Sequence, residues 1–231
     1  MNNSFAVIFD LDGVIVQTTE FHFKAWREFF VKRKISFTFE QFIKTFGSRN
    51  HDVFKQYIDP NISIEESIKL SEEKESLFRN YAKGKVETID GAFELIYSLS
   101  IEGIKLGLAT STPRKNLDFF FGEIKIGRYF LATVCESEVV NGKPDPEIFL
   151  KCAQKLNAAP EVCVVIEDSP QGVMAAKRAK MACVAYTTTN PREKLLLAGA
   201  IVNGPTEVDV GLLHELVEKN RSAQKGMPQN L

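Results

Sequence analysis

Residues Phe5-Ala6-Val7-Ile8-Phe9 form a short apolar run that ends abruptly in Asp10-Leu11-Asp12-Gly13. An unbroken apolar run of this length fits a strand buried on both faces, as in a parallel sheet with helices above and below. An extended chain would put Asp10 and Asp12 on the same side, although the strand is already ending there. Gly13 supplies the backbone freedom for a turn at that edge. In open parallel sheets, ligands bind just beyond the carboxyl ends of the strands, where this pair falls. Two carboxylates so close in a half-buried crevice repel unless a cation or a proton joins them. A pair of solvated turn aspartates is the plainer alternative, and the pair alone does not decide.

The rest of the chain shows two textures. From about Thr19 to Lys85 the periodicity is helical, with Phe21, Ala25, Trp26, Phe29 and Phe30 on one stripe and Ile68, Leu70, Leu77, Phe78 and Tyr81 on another. From Asp90 onward helices and strands alternate. Helices are expected at Gly91–Leu99, Pro113–Phe121, Pro144–Leu156 and Gly172–Ala179, with a closing helix around Leu212–Val217. Strands are expected at Ile104–Ala109, Ala132–Cys135, Val162–Ile166 and Cys183–Tyr186, with an edge strand at Ile201-Val202. Alternation of this kind implies right-handed crossovers. The predicted class is α/β, a Rossmann-like doubly wound parallel sheet core with an inserted all-helical cap domain. The expected division is a core of residues 1–16 and 88–220, a cap of residues 17–87 placed at the mouth of the sheet, and a flexible tail of residues 221–231.

A formal net charge of −1 gives no general attraction to nucleic acid or an anionic membrane. Cys135, Cys152, Cys163 and Cys183 are widely spaced, without a CxxC pair or zinc-like spacing, and read as free thiols, three of them in apolar stretches. No signal peptide precedes the first strand, and no apolar run is long enough to span a bilayer. A cytoplasmic protein, monomeric or weakly dimeric, is expected.

Three further strand ends carry suggestive residues. The second strand ends in Thr110-Ser111-Thr112-Pro113, where Pro113 suits the first helical position and Thr112 its N-cap. Hydroxyls and free N–H groups at that helix start are either a capping turn or an anion site. Lys143 precedes Pro144-Asp145-Pro146, a helix start where the macrodipole opposes a cation. It is either an exposed lysine or a partner for an anion. The strand Val162–Ile166 runs into a second acidic pair, Glu167-Asp168, again before a helix. Two acidic pairs, a hydroxyl and a lysine at neighbouring strand ends look like a Mg2+ site facing a phosphate.

DLDGV, GLATST, GKPDPEIF and VIEDSPQGVMAAK, in this order, resemble the four motifs of the haloacid dehalogenase superfamily, in its phosphatase and phosphomutase branch with a small helical cap. The resemblance runs from Phe5 to Val202. It implies Asp10 as nucleophile forming an aspartyl-phosphate, Asp12 as general acid/base, Thr110 as a phosphoryl ligand and Lys143 as the neutralising cation. It also implies Mg2+ held by Asp10, Asp168 and the backbone carbonyl of Asp12, with Glu167 binding directly or through water. Gly13 and Ser111 complete the expected phosphate site. Dehalogenases of the superfamily need no acid at the position of Asp12, so its presence favours phosphoryl transfer.

In the cap, helical spacing puts Lys74 on an otherwise apolar face, either snorkelling at its edge or, as in similar E-K-E contexts of the family, reaching the substrate. Thr18 and His22 match a hinge threonine and an acid/base histidine of related sugar phosphomutases, although a histidine beside aromatics is also a common packing residue. Two departures stand out: Gln17 replaces a frequent aspartate, and Thr45-Phe46-Gly47-Ser48-Arg49 lacks the lysine of the mutases' K-G-x-S-R, with Arg49 one place early. A mutase must grip a second phosphate, so the missing cation favours a phosphatase acting on a small phosphorylated metabolite, with Thr18, His22, Arg49 and Lys74 as expected substrate contacts. A sugar phosphomutase of the beta-phosphoglucomutase type and a non-catalytic phosphate- or partner-binding domain are the alternatives.

Overall fold

The computed structural model describes residues 5–45 and 48–225; Phe46, Gly47 and residues 226–231 of the expected tail lie outside the described residues. Six parallel strands, β1 (Ala6–Phe9), β2 (Lys105–Ala109), β3 (Ala132–Val134), β4 (Cys163–Glu167), β5 (Ala182–Tyr186) and β6 (Ala200–Val202), lie in the order β3-β2-β1-β4-β5-β6. The order reverses at β1, which places the ligand crevice of such sheets at the end of that strand. Phe9 is level with Leu108 on one side and Ile166 on the other, and the Asp10 N–H donates to the Ile166 carbonyl at 2.9 Å. The strand-end motifs therefore come level with one another.

Period-two alternation sends successive residues of β1 into different layers. Val7 and Phe9 pack with α5 (Ala92–Ile101), α6 (Arg114–Ile124) and α9 (Val210–Lys225), through residues such as Leu99, Phe120 and Leu213. Ala6 and Ile8 pack with α7 (Glu147–Lys155) and α8 (Pro170–Arg178), through Phe149, Cys152 and Ala176. All four cysteines are buried and free. Among the described residues, no helix is long and apolar enough to cross a membrane.

Between β1 and β2 come α1 (Thr19–Val31), α2 (Phe39–Thr45), α3 (Asn50–Tyr57) and α4 (Ile64–Ala82). They share an aromatic core of their own, including Trp26, Phe29, Phe30, Phe42 and Phe54. The Ser63 hydroxyl accepts from the Glu66 N–H and, with Glu65 and Glu66, suits the positive start of α4. Phe78 and Ala82 at the other end of α4 belong to the sheet-side core instead. That helix is thus buried on two sides.

Of the boundaries that differ from expectation, four have an identifiable contact or consequence. Pro113 rather than Thr112 is the N-cap of α6, because the Thr112 hydroxyl is committed to Asp12 at 2.6 Å. The first turn after Lys143 is not helical: α7 starts at Glu147, with the Asp145 carboxylate accepting from the Glu147 N–H. Glu167 is the last residue of β4 rather than the first beyond it. The closing helix continues to Lys225, so residues 221–225 are helical and not a loose tail.

Candidate active site

Asp10, Lys143, Glu167 and Asp168 converge at the ends of β1 and β4. The Lys143 ammonium donates to Asp10 Oδ1 at 2.7 Å and to Glu167 Oε1 at 2.5 Å, with all three side chains buried. Lys143 is therefore not the exposed lysine of the plainer reading. Burial works against the ammonium, but the two carboxylates outweigh it and hold the lysine pKa above its ordinary value. Glu167 Oε2 also accepts from the Asp168 and Ser169 N–H groups and the Ser169 hydroxyl.

Oxygens of Asp10, Glu167 and Asp168 lie within 4.8 Å of one another. Burial pushes the Asp10 carboxyl up to about 7 despite Lys143, and burial followed by the charges of Glu167 and Asp10 pushes Asp168 well up too. Asp168 Oδ2 is buried without a hydrogen-bond partner among the described residues. Three carboxylates sharing one ammonium, one of them with an orphaned oxygen, fit a hard divalent cation with oxygen ligands. Gly13, at φ +78°, leaves the room this needs: a Cβ there would lie 1.9 Å from Asp168 Oδ2. Gly13 thus shapes the acidic cluster and does not line the cavity. Gly172 does the same for Glu167, which a Cβ would meet at 1.8 Å.

Asp12 points away from that cluster. Its Oδ1 accepts from the Thr18 hydroxyl at 2.5 Å and its Oδ2 from the Thr112 hydroxyl, with His22 Nε2 3.5 Å from Oδ1. Burial alone would raise its pKa; hydrogen bonding and charge from His22, then the two hydroxyls, outweigh it and leave the carboxyl below its usual range. Thr18 is fully buried behind Asp12 and does not line the cavity, which corrects its expected role as a substrate contact.

A cavity of about 70 Å3 connects these strand ends to the inserted helices, with Asp10, Asp12, Thr110, Ser111, Lys143 and Asp168 on one wall and His22, Trp26, Asn50, Lys74 and Glu75 on the other. That is well below the roughly 300 Å3 at the lower end of ordinary ligand pockets, so the cavity in this conformation is too small for a sugar-sized ligand. Lys74 is 1% exposed and does not snorkel. Its ammonium lies 2.8 Å from His22 Nδ1 and 2.8 Å from Glu75 Oε1, and 4.8 Å from the centre of the Trp26 ring. Arg49 corrects another expectation. It lies outside the cavity lining, bonding Asp52 Oδ2 at 3.1 Å and the Val140 carbonyl at 3.0 Å while packing over Gly142. From the start of α3 it reaches the loop ahead of Lys143.

Sequence reasoning missed Thr112 as a partner of Asp12 and missed Asn50, Glu75, Asn116 and Glu136 entirely. Glu136, in the turn after β3, is pushed up to about 7 by burial and then by the Glu75 carboxylate. Its ionised form is therefore penalised in the folded state. That penalty is absent below the ordinary glutamate range near 4.5, grows as pH rises and is complete above about 7. Glu136→Gln is expected to stabilise the protein by about 1–3 kcal/mol at pH 8 and by little at pH 4.5, read from thermal unfolding at both values. Equal Tm changes at the two pH values would contradict the burial assignment.

Comparison with known proteins returns a match between residues 7–186 and the family model described as haloacid dehalogenase-like hydrolase. The chain is 32% identical over 218 residues to the phosphorylated carbohydrates phosphatase of Thermotoga maritima, covering 92% of this chain and 99% of that one. It is 31% identical over 228 residues to the beta-phosphoglucomutase of Bacillus subtilis, covering 94% and 96%. The crystal structure of a beta-phosphoglucomutase from Clostridium difficile superposes with a TM-score of 0.85 at 26% identity, covering 94% of this chain and 98% of that one.

Proposed function

Because the chain belongs to the haloacid dehalogenase-like hydrolase family, we propose that it is a Mg2+-dependent phosphatase of a small sugar monophosphate, working through an aspartyl-phosphate. The observation that carries the choice of a monophosphate is the pairing of charges at the far end of the cavity. Lys74 is neutralised by Glu75, and Arg49 is spent on Asp52 and the Val140 carbonyl. Among the described residues lining that end, no lysine or arginine is left for a second phosphate. The phosphatase name of the Thermotoga maritima relative supports the same reading.

Asp10 is the nucleophile: its carboxylate attacks phosphorus while the bond to the leaving alkoxide breaks. Thr110 and Ser111 bind the phosphoryl oxygens, and Lys143 offsets the charge of Asp10 and the phosphate. Asp12 starts ionised, held there by Thr18, Thr112 and His22. The arriving phosphate raises its pKa by like-charge repulsion, so that it takes up a proton from water as substrate binds and then gives that proton to the leaving alkoxide. The same carboxylate then takes a proton from the water that attacks the aspartyl-phosphate. Asp10, Asp168 and the Asp12 backbone carbonyl would hold Mg2+, which when bound supplies positive charge against the phosphoryl oxygens. Glu167, already bonded through both oxygens, fits a water-mediated role. The inserted helices, residues 17–87, act as a cap that closes over the substrate and bring His22 beside Asp12.

A panel of sugar monophosphates tests this. Inorganic phosphate release is expected with Mg2+, falling at least about 100-fold in chelator and returning with added Mg2+. Full activity after metal removal would sink the metal assignment. The mutase reading, which the Bacillus subtilis and Clostridium difficile relatives favour, requires isomerisation primed by a sugar bisphosphate with little phosphate release.

A further inference from the structure

The inserted helices bury one carboxylate that the proposed chemistry does not use. Glu75, 3% exposed, follows Lys74 on α4 and lies against the sheet-side layer. Its Oε1 accepts from Lys74 Nζ and Asn50 Nδ2, each at 2.8 Å, and its Oε2 accepts from Asn116 Nδ2 at 2.5 Å. Asn116 is fully buried in the first turn of α6, does not line the cavity, and accepts at Oδ1 from Arg79 Nη1 at 2.7 Å. From Glu75 the contacts continue through Lys74 to His22 and on to Asp12. The path starts and ends on the sheet-side layer, at Asn116 and Asp12, and runs between them through α4 and α1.

Such a path has one well-satisfied arrangement. If α4 is displaced, the buried Glu75 carboxylate loses its Asn116 donor, and His22 leaves Asp12 in the same movement. Intermediate positions leave a charged group half-satisfied in a low-dielectric interface, which disfavours them against fully docked or fully open states. We propose that Glu75 and Asn116 form a catch that couples docking of the inserted helices to placement of His22 beside Asp12. Both are positioning residues, acting through Lys74 and His22. The proposal rests on Asp12 being the acid of the phosphatase reading.

Glu75→Gln and Asn116→Asp test it, singly and together. Glu75→Gln leaves one acceptor oxygen for the three donors Lys74, Asn50 and Asn116, so that with the oxygen kept on Lys74 and Asn50 its amide N–H meets the Asn116 donor; Asn116→Asp sets two carboxylates face to face, and each breaks the catch with almost no change of shape. The double variant restores one donor and one acceptor with the roles exchanged. Each single variant is expected to lower kcat about 10- to 100-fold for a sugar monophosphate, whose alkoxide needs the acid. For p-nitrophenyl phosphate, whose leaving group does not, the change should stay within about threefold. The double variant should return to within about threefold of the parent. Trp26, the sole tryptophan, lies beside Lys74, so its fluorescence should shift in each single variant and recover in the double. Equal losses on both esters, or a double variant as poor as the product of the singles, would overturn the catch. Absence of hydrolysis in the parent protein would instead defeat the phosphatase reading, with the catch then decided by Trp26 alone. If either single variant fails to fold, recovery of folding in the double supports the pairing, and its failure to recover refutes it.

Discussion

Replacing Asp10 by asparagine is expected to lower phosphatase turnover by roughly 10^4-fold or more, the scale on which enzymes lose a covalent nucleophile. The amide keeps the shape of the side chain and an oxygen to accept from Lys143, 2.7 Å away in the parent, but its nitrogen cannot attack phosphorus. Fold and cavity should survive. Asp10 is buried and its charge is already disfavoured, with a pKa near 7, so losing that charge does not expose a new defect, and Tm should stay within a few degrees. The complementary measurement is acid-quenched parent enzyme in turnover. A phosphate-sized mass increase on the peptide holding Asp10, absent from the variant, identifies the aspartyl-phosphate. Turnover by Asp10→Asn near the parental rate would remove Asp10 from the nucleophile role.

The two halves of the site were legible to different degrees, for physical reasons. Asp10, Thr110 and the Glu167-Asp168 pair stand at strand ends, and a parallel sheet with β1 between β2 and β4 brings such ends level whatever else the chain does. Their meeting follows from topology, which local periodicity reveals. The inserted helices offer no such rule. Lys74 read as either snorkelling or inward-facing because a helical wheel shows only which face a residue shares. Glu75 was invisible because successive helix positions diverge by about 100°, so a single apolar face cannot bury both residues. They are buried together because α4 packs against α1 and α3 on one side and reaches α6 on the other. Arg49 misled because spacing to the missing lysine suggested the substrate, whereas the side chain reaches the Val140 carbonyl, 91 residues away in sequence. Contacts of that range carry no local signature.

Lys143→Met is expected to produce the second large loss, through charge and not through nucleophilicity. Methionine matches much of the stem of lysine but leaves Asp10 and Glu167 without the ammonium that pairs with both, beside a third buried carboxylate, Asp168, whose oxygen lies within 4.8 Å of theirs. Breaking a buried ion pair from one side typically costs about 3–5 kcal/mol, because the remaining charge stays desolvated. The carboxylates can escape that cost by taking up protons, which fixes the sign of the pH dependence. Burial first, then neighbouring charge, already raises Asp10 and Asp168 above their ordinary values, and losing the ammonium raises them further. An acid raised in the folded state carries no penalty below its unfolded pKa near 4 and its full penalty above the folded one. The Tm deficit of Lys143→Met should therefore be small near pH 4, grow as pH rises and be largest at pH 8. Added Mg2+ should then reduce the deficit at pH 8, by mass action on a folded state that now offers three uncompensated ligands. Activity should remain at least about 100-fold down even in saturating Mg2+, since the metal does not replace the ammonium between nucleophile and phosphate. A deficit independent of both pH and Mg2+ would mean that Lys143 serves packing alone.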